Sequence, residues 1–241
     1  MKVKIIGSGT CIPSLKRGSS SALLSIDNYN ILIDIGPSVV RRLLEFGFEV
    51  YDIDIILLTH FHVDHTADLS TFLFACNYGR KERAMPLLII GGRGVTRFYK
   101  DLLRLYPWNR PISYRLSIKS LPSGTVKIDG LTLTTSRAFH NRESAAFRID
   151  KNGKSIVFTG DTGYSRGLIG LAKGSNLLIA ECSFPIKEAK GHLNLKTLDR
   201  IVGEARPERV IITHLYPEWD DFKGALPPSY LMAEDGMEIT V

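Results

Sequence analysis

Two spacings of apolar residues alternate along the chain. Short runs rich in branched residues predict strands over 2–6, 21–26, 31–33, 53–58 and 87–90. A second series follows over 113–118, 126–128, 131–136, 145–149, 156–159, 177–180 and 210–213. Asp27-Asn28-Tyr29-Asn30 reads as a hairpin connection, as do Asp129-Gly130 and Asn152-Gly153 later in the chain. Between these runs the spacing becomes helical. Pro37 opens a helix with Val39, Val40, Leu43 and Leu44 on its apolar face and Arg41 and Arg42 toward water. Leu69, Phe72 and Leu73 mark a helix over 66–78, and Phe98, Leu102 and Leu103 another that Pro107 ends. Two more helices are expected over 166–172 and 195–205. Strands gather at the start of each half and helices follow them. That order suggests an α/β (α+β) fold with two sheets face to face and helices outside.

The run ending at Leu58 gives way at once to Thr59-His60-Phe61-His62-Val63-Asp64-His65. Three imidazoles and a carboxylate within six positions are ligands suited to borderline divalent metals. Further ligand types stand where later strands give out: His140 after 131–139, Asp161 after 155–160 and His214 after 210–213. Strand ends are where open α/β sheets build their sites. His192, in Gly191-His192-Leu193-Asn194, completes the six histidines of the chain.

His60, His62, Asp64, His65, His140, Asp161 within Phe158-Thr159-Gly160-Asp161-Thr162-Gly163, and His214 together resemble the metallo-β-lactamase superfamily. The stretch from Gly7 to Ser21, the strand end Glu181-Cys182-Ser183-Phe184 and the histidine of Gly191-His192-Leu193 are most similar to its ribonuclease Z-like phosphodiesterases. The resemblance implies a four-layer αβ/βα sandwich in one domain over residues 1–241. It implies two divalent metal ions, zinc in the first place with manganese or iron also accommodated. His60, His62 and His140 would hold one ion, Asp64, His65 and His214 the other, and Asp161 would bridge them. Such a pair clamps substrate oxygens and generates a hydroxide nucleophile near neutral pH. Asp64 would also orient and deprotonate that water. His192, not needed by either ion, is assigned to the leaving group as a proton donor, with Glu181 a candidate partner. Asp34, after three branched residues, reads either as a carboxylate behind a ligand histidine or as the N-cap of the next helix.

Charge bears on the substrate. The formal net charge is +6, and from Arg80 to Lys119 ten basic residues stand against Glu82 and Asp101. A basic face near a hydrolytic centre would attract a phosphodiester or nucleic acid, although the solvated face of a helix explains the same run. The family's transfer-RNA enzymes carry a long Gly/Pro-rich arm that this chain lacks, and their His-Ser-Thr reads His192-Leu193-Asn194 here. The expectation is therefore a compact phosphodiesterase for cyclic nucleotides, cyclic sugar phosphates or short RNA. The alternatives are a thioester, lactone or ester hydrolase of the same fold, and a nucleic-acid-binding module with a structural metal. Cys11, Cys76 and Cys182 form no Cys-x-x-Cys pair and read as small apolar residues in a reducing compartment. No apolar run is long enough to span a membrane, so the expected setting is the cytoplasm, where the chain could also pair as a homodimer.

Overall fold

The computed structural model describes residues 1–27 and 29–241, so Asn28 of the expected first hairpin turn lies outside the described residues. The first half forms strands β1 (Lys2–Gly7), β2 (Ser21–Ile26), β3 (Tyr29–Ile33), β4 (Ile55–Leu58), β5 (Leu87–Gly91) and β6 (Leu116–Ser120). The second contributes β7 (Gly124–Ile128), β8 (Leu131–Arg137), β9 (Ala145–Lys151), β10 (Lys154–Phe158), β11 (Leu177–Glu181), β12 (Val210–Thr213) and β13 (Tyr230–Met232). The final strand, β14 (Glu238–Thr240), returns to pair with β1. Two seven-stranded sheets result, ordered β14-β1-β2-β3-β4-β5-β6 and β13-β12-β11-β10-β9-β8-β7.

Three apolar layers hold the sheets and helices together. Val3, Leu24, Ile33, Ile55 and Leu57 of the first sheet meet Leu133, Phe147, Ile156 and Ile179 of the second between the sheets. The outer face of the first sheet, with Leu23, Leu32, Ile56, Leu58 and Ile89, is covered by helices α1 (Val39–Glu45), α3 (Asp68–Tyr78) and α4 (Val95–Leu105). The outer face of the second carries α5 (Arg166–Ala172) and α6 (Leu195–Ala205), with Leu168, Leu198 and Ile201 against Val157, Leu178 and Ile212. In β4 the alternation is complete: Ile55 and Leu57 face the second sheet, Ile56 and Leu58 face the helices. A strand buried on both faces reads as a continuous apolar run, which is why it announced itself so plainly. The four-layer αβ/βα sandwich is thus present.

Several boundaries differ from expectation. The helix foreseen over 66–78 is two pieces, a short α2 (Val63–Thr66) that carries Asp64 and His65, then α3. The strand foreseen over 113–118 starts at Leu116, because Ser113 is drawn off to donate to the Arg83 carbonyl at 3.0 Å. β13 and β14 escaped notice because each is three residues long with one buried position, too short for a period of two to register.

Candidate metal centre

Parallel pairing aligns the ends of β3, β4 and β5 in one sheet and of β10, β11 and β12 in the other. At the same rim, the Ala145 N–H donates to the Thr59 carbonyl at 2.9 Å and ties the two sheets together. The histidine block leaves β4 at this rim, Asp161 leaves β10, Glu181 ends β11 and His214 follows β12. Gly36 lets the turn after β3 run directly under the block: a Cβ there would fall 1.8 Å from the Asp64 carbonyl oxygen. Asp34 and His214 both adopt left-handed backbone, φ 58° each, a conformation that costs a non-glycine residue free energy and that is held here by the surrounding contacts.

The tautomers follow from the acceptors. Asp34 Oδ2 can only accept, so His65 Nδ1–H donates to it at 2.7 Å. Thr59 Oγ1 spends its hydrogen on Asp34 Oδ2 at 2.7 Å and can only accept from His60 Nδ1–H at 3.1 Å. Ser183 Oγ donates to Glu181 Oε2 at 2.7 Å and accepts from His214 Nδ1–H at 3.0 Å. The Gly191 carbonyl takes His140 Nδ1–H at 3.0 Å. Each of these four rings is thereby left with its Nε2 turned toward Asp161. Asp34 acts as the carboxylate behind His65, and the cap position of α1 is Ser38 instead.

Asp161 divides its oxygens between two groups of rings. Oδ1 lies 3.4 Å from both His65 Nε2 and His214 Nε2, and Oδ2 lies 3.7 Å from His60 Nε2 and 3.8 Å from His140 Nε2. Asp64 Oδ2 faces His65 Nε2 at 3.6 Å and His214 Nε2 at 3.4 Å. Donor atoms of His60, His62, His140 and Asp161 lie within 4.8 Å of one another, and so do those of Asp64, His65 and His214. His62 is the exposed member; its Nδ1 is 3.3 Å from His140 Nε2 while Asn141 Nδ2 sits 2.8 Å from its Nε2.

His60 Nε2, His65 Nε2, His214 Nε2 and Asp161 Oδ1 are buried and have no hydrogen-bond partner among the described residues. Buried polar atoms left so are costly, and here ring nitrogens and a carboxylate oxygen converge on one point. Imidazole nitrogens and carboxylate oxygens in that arrangement fit a divalent cation. The electrostatics agree. Burial opposes the charge on Asp161, yet the imidazoles of His214, His65, His60 and His192 hold it ionised. Asp64 is likewise held down at about 2, against its burial, by the neighbouring imidazoles of His214 and His65. Burial pushes His60 to about 2, helped by the neighbouring His65. His65 goes the other way, to about 10: burial opposes it, but Asp161, Asp34 and Asp64 draw a proton onto the ring when no cation is there to satisfy them.

His192 stands beside this cluster. Its Nδ1 is 3.1 Å from Glu181 Oε1, 3.0 Å from Ser183 Oγ and 4.0 Å from Asp161 Oδ2. Burial would lower its pKa, but the hydrogen bond to Glu181 and the charges of Glu181, Asp161 and Asp64 raise it. The pairing foreseen from Glu181 at a strand end is present. Ser183, which joins Glu181 to His192 and His214, was overlooked; its position two residues after Glu181 is the only sequence signal for it. Tyr216 closes the edge of the cluster, 5.9 Å from His214 and 6.4 Å from His192 between ring centroids. Cys76 and Cys182 are buried as expected, whereas Cys11 is exposed, 3.7 Å from the Tyr216 hydroxyl.

The family model described as Anti-Pycsar protein Apyc1 matches residues 1–234. The chain belongs to the Anti-Pycsar protein Apyc1 family. Among relatives of this Apyc1-family chain, the Bacillus subtilis (strain 168) protein named "Probable metallo-hydrolase YhfI" is 29% identical over 224 residues, 89% of this chain and 87% of that one. Ribonuclease Z of Mycolicibacterium gilvum (strain PYR-GCK) is 29% identical over 197 residues, 74% and 68% of the two chains. The crystal structure of YhfI, a metallo-β-lactamase fold protein, superposes with a TM-score of 0.83 at 25% identity, covering 99% of this chain and 98% of that one. The short form of human tRNase Z gives 0.80 at 21% identity, with 100% and 99% covered. The Apyc1-family chain is therefore a metal-dependent hydrolase of the metallo-β-lactamase superfamily, in its ribonuclease Z-like branch, with histidines and aspartates positioned to bind metal. A purely nucleic-acid-binding module with a structural metal is set aside on the same grounds. No helix among the described residues is long and apolar enough to cross a membrane.

The basic segment is thinner than its composition suggested. Arg83 is 1% exposed and donates to the carbonyls of Val50, Ile53, Met85 and Pro86 at 2.6 to 2.9 Å, so it braces the fold. Arg97 and Arg104 both pair with Asp101, and Lys81 pairs with Glu49. Of the ten basic residues of that run, Arg83 is thus structural and Lys81, Arg97 and Arg104 are paired at the surface.

Proposed function

We propose that the protein is a two-metal phosphodiesterase, folded as one domain over residues 1–241, that hydrolyses a cyclic phosphate, a nucleotide or a short RNA in the cytoplasm. His60, His62 and His140 hold one ion and Asp64, His65 and His214 the other, with Asp161 between them; zinc suits this donor set best. The observation that carries the reading is the division of Asp161, one oxygen toward His65 and His214 and the other toward His60 and His140. Bound there, the metal pair would polarise a phosphoryl oxygen and lower the pKa of the attacking water.

The chain's own groups supply the proton traffic. Asp64, kept ionised, orients the water and accepts its proton. His192 is anchored through Nδ1 on Glu181, which leaves Nε2 to contact a phosphate oxygen and donate to the departing alkoxide. Asp34, Thr59 and Ser183 fix ring orientations and so keep the Nε2 lone pairs aimed inward. An anionic diester fits this reading better than a neutral ester because exposed Arg93, Arg137 and Arg142 line the cavity that adjoins His140. The names of its ribonuclease Z relatives point the same way.

The test is turnover of bis(p-nitrophenyl) phosphate by zinc- or manganese-loaded protein. Chelator-sensitive release of nitrophenol that disappears in Asp64→Ala supports the proposal. Release from a thioester or lactone with none from the diester contradicts it.

A further inference from the structure

Asp235 stands in the turn between β13 and β14 and is not one of the candidate metal ligands, yet its side chain is only 8% exposed. A buried carboxylate is costly unless its oxygens are satisfied, and here four donors satisfy them. Oδ1 accepts from the Ser8 N–H at 2.8 Å and from the Ser8 hydroxyl at 2.7 Å. Oδ2 accepts from the Gly18 N–H at 2.7 Å and pairs with Arg42 Nη2 at 3.0 Å. Arg42 Nε in turn donates to the Ile6 carbonyl at 2.6 Å. One side chain thus grips both ends of the loop over residues 8–18 that follows β1.

That loop reaches the His/Asp cluster through its backbone. The Ser8 carbonyl accepts from the Leu215 N–H at 2.9 Å, one residue past His214. The left-handed φ of His214, 58°, persists only where the surroundings over-determine it. Three backbone bonds flank it. The Thr213 carbonyl accepts from the Cys182 N–H at 2.9 Å, and the Tyr216 N–H donates to the Ser183 carbonyl at 3.2 Å, both ties to the end of β11. The third, from Leu215 to Ser8, ties the turn to the end of β1 in the other sheet. The segment that carries Asp235 is fastened to both sheets as well: the Ala233 N–H donates to the Ile212 carbonyl and the Gly236 N–H to the Ile5 carbonyl, each at 2.8 Å. An apolar residue at 235 would take this acceptor from the Ser8 and Gly18 N–H groups and leave the Ser8 carbonyl free to shift.

We infer that Asp235 is a positioning residue for the metal centre: by fixing Ser8 it fixes the backbone at Leu215, and with it the aim of His214 Nε2. That nitrogen lies 3.4 Å from both Asp64 Oδ2 and Asp161 Oδ1, so a small rotation of the ring changes the whole group. The effect falls on the Asp64, His65 and His214 group. It spares the group of His60, His62 and His140, where His60 and His140 are oriented by Thr59 and the Gly191 carbonyl. The inference rests on the reading of His214 as a metal ligand.

The experiment compares wild type, Asp235→Asn and Ser8→Ala, with Arg83→Ala as a variant weakened far from the cluster. Zinc affinity is measured against a chromophoric chelator at a temperature where circular dichroism shows each variant folded. A second arm records the ring-nitrogen resonances of the histidines in metal-free protein by ¹H–¹⁵N NMR. Asp235→Asn, which puts an amide among four donors, is expected to weaken one of the two zinc ions by about 10-fold and leave the other unchanged. In the metal-free protein the His214 resonances shift and those of His60 stay. Ser8→Ala, which removes one of the four donors, does the same to a smaller extent and carries the test if Asp235→Asn does not fold. Arg83→Ala lowers the melting temperature and moves neither ion. Wild-type affinity for both ions with an unmoved His214, or an equal loss at both ions, overturns the inference. If wild type binds fewer than two zinc ions, the two-metal reading falls, and the His214 resonances of the metal-free variants decide the positioning role on their own.

Discussion

Asp34 Oδ2 lies 2.7 Å from His65 Nδ1, and the same carboxylate also takes the N–H and the hydroxyl of Thr59. One acidic side chain at the end of β3 thereby orients His65 directly and His60 through Thr59. Asp34→Asn places an amide where only acceptors are wanted. It is expected to weaken metal binding by about 10- to 100-fold while the sheet core stays intact. Metal titration monitored alongside circular dichroism checks this; unchanged affinity in a folded variant would show that Asp34 does not govern the ring.

Ser183→Ala removes the acceptor shared by His214 and His192. A buried N–H left without a partner costs about 1–3 kcal/mol. The expected outcome is lower metal affinity together with lower kcat, since His214 loses its anchor and His192 keeps only Glu181. Ser183→Thr, which keeps the hydroxyl, should recover most of each.

His192→Gln separates proton donation from metal binding. His192 stands 4.0 Å from Asp161 and is anchored on Glu181. Metal content should remain that of wild type while kcat on a diester with a poor alkoxide leaving group falls by roughly 10²- to 10⁴-fold. A nitrophenyl ester, whose leaving group needs no proton, should be affected far less. An equal fall on both would argue that His192 holds metal.

Chelated protein should carry a pH signature. His65 is raised to about 10 by Asp161, Asp34 and Asp64 over the opposing effect of burial. A raised folded-state pKa gives stability that is complete below the unfolded value near 6.5 and lost as pH climbs through about 10. His192, also raised, has the same sign. The melting temperature of chelated protein should therefore fall from pH 7 to 9.5 more steeply than that of metal-loaded protein, as differential scanning fluorimetry would register. Parallel curves would mean that His65 carries no extra proton.

Arg83→Ala tests the structural side of the basic run. Four carbonyls lose their donor, and a loss of about 3 kcal/mol or more is expected. Diester turnover per folded molecule should not change. Weakened substrate binding at permissive temperature would return Arg83 to the substrate face.

Legibility in the sequence followed how local each signal was. Strands such as Ile55–Leu58, buried on both faces, and the histidine block after them were plain because their pattern lies within a few residues. The order of the elements suggested two sheets with helices outside and the resemblance named the four-layer sandwich, whereas periodicity alone gave only mixed α and β. Asp34 could be read two ways because its partner His65 is 31 positions away, and no local pattern announces that contact. The role of Ser183 could not be read for the same reason: it acts through His214, 31 positions on. Composition overstated the positive face by counting Arg83, whose carbonyl partners only the fold supplies.

The most direct measurement is metal stoichiometry by elemental analysis, made on wild type and on Asp161→Ala after reconstitution and gel filtration. The account predicts about two ions per wild-type chain and a folded Asp161→Ala that retains fewer, with diester turnover lost in step. A wild-type chain that binds no metal after reconstitution, or an Asp161→Ala variant that keeps the full complement, would contradict it.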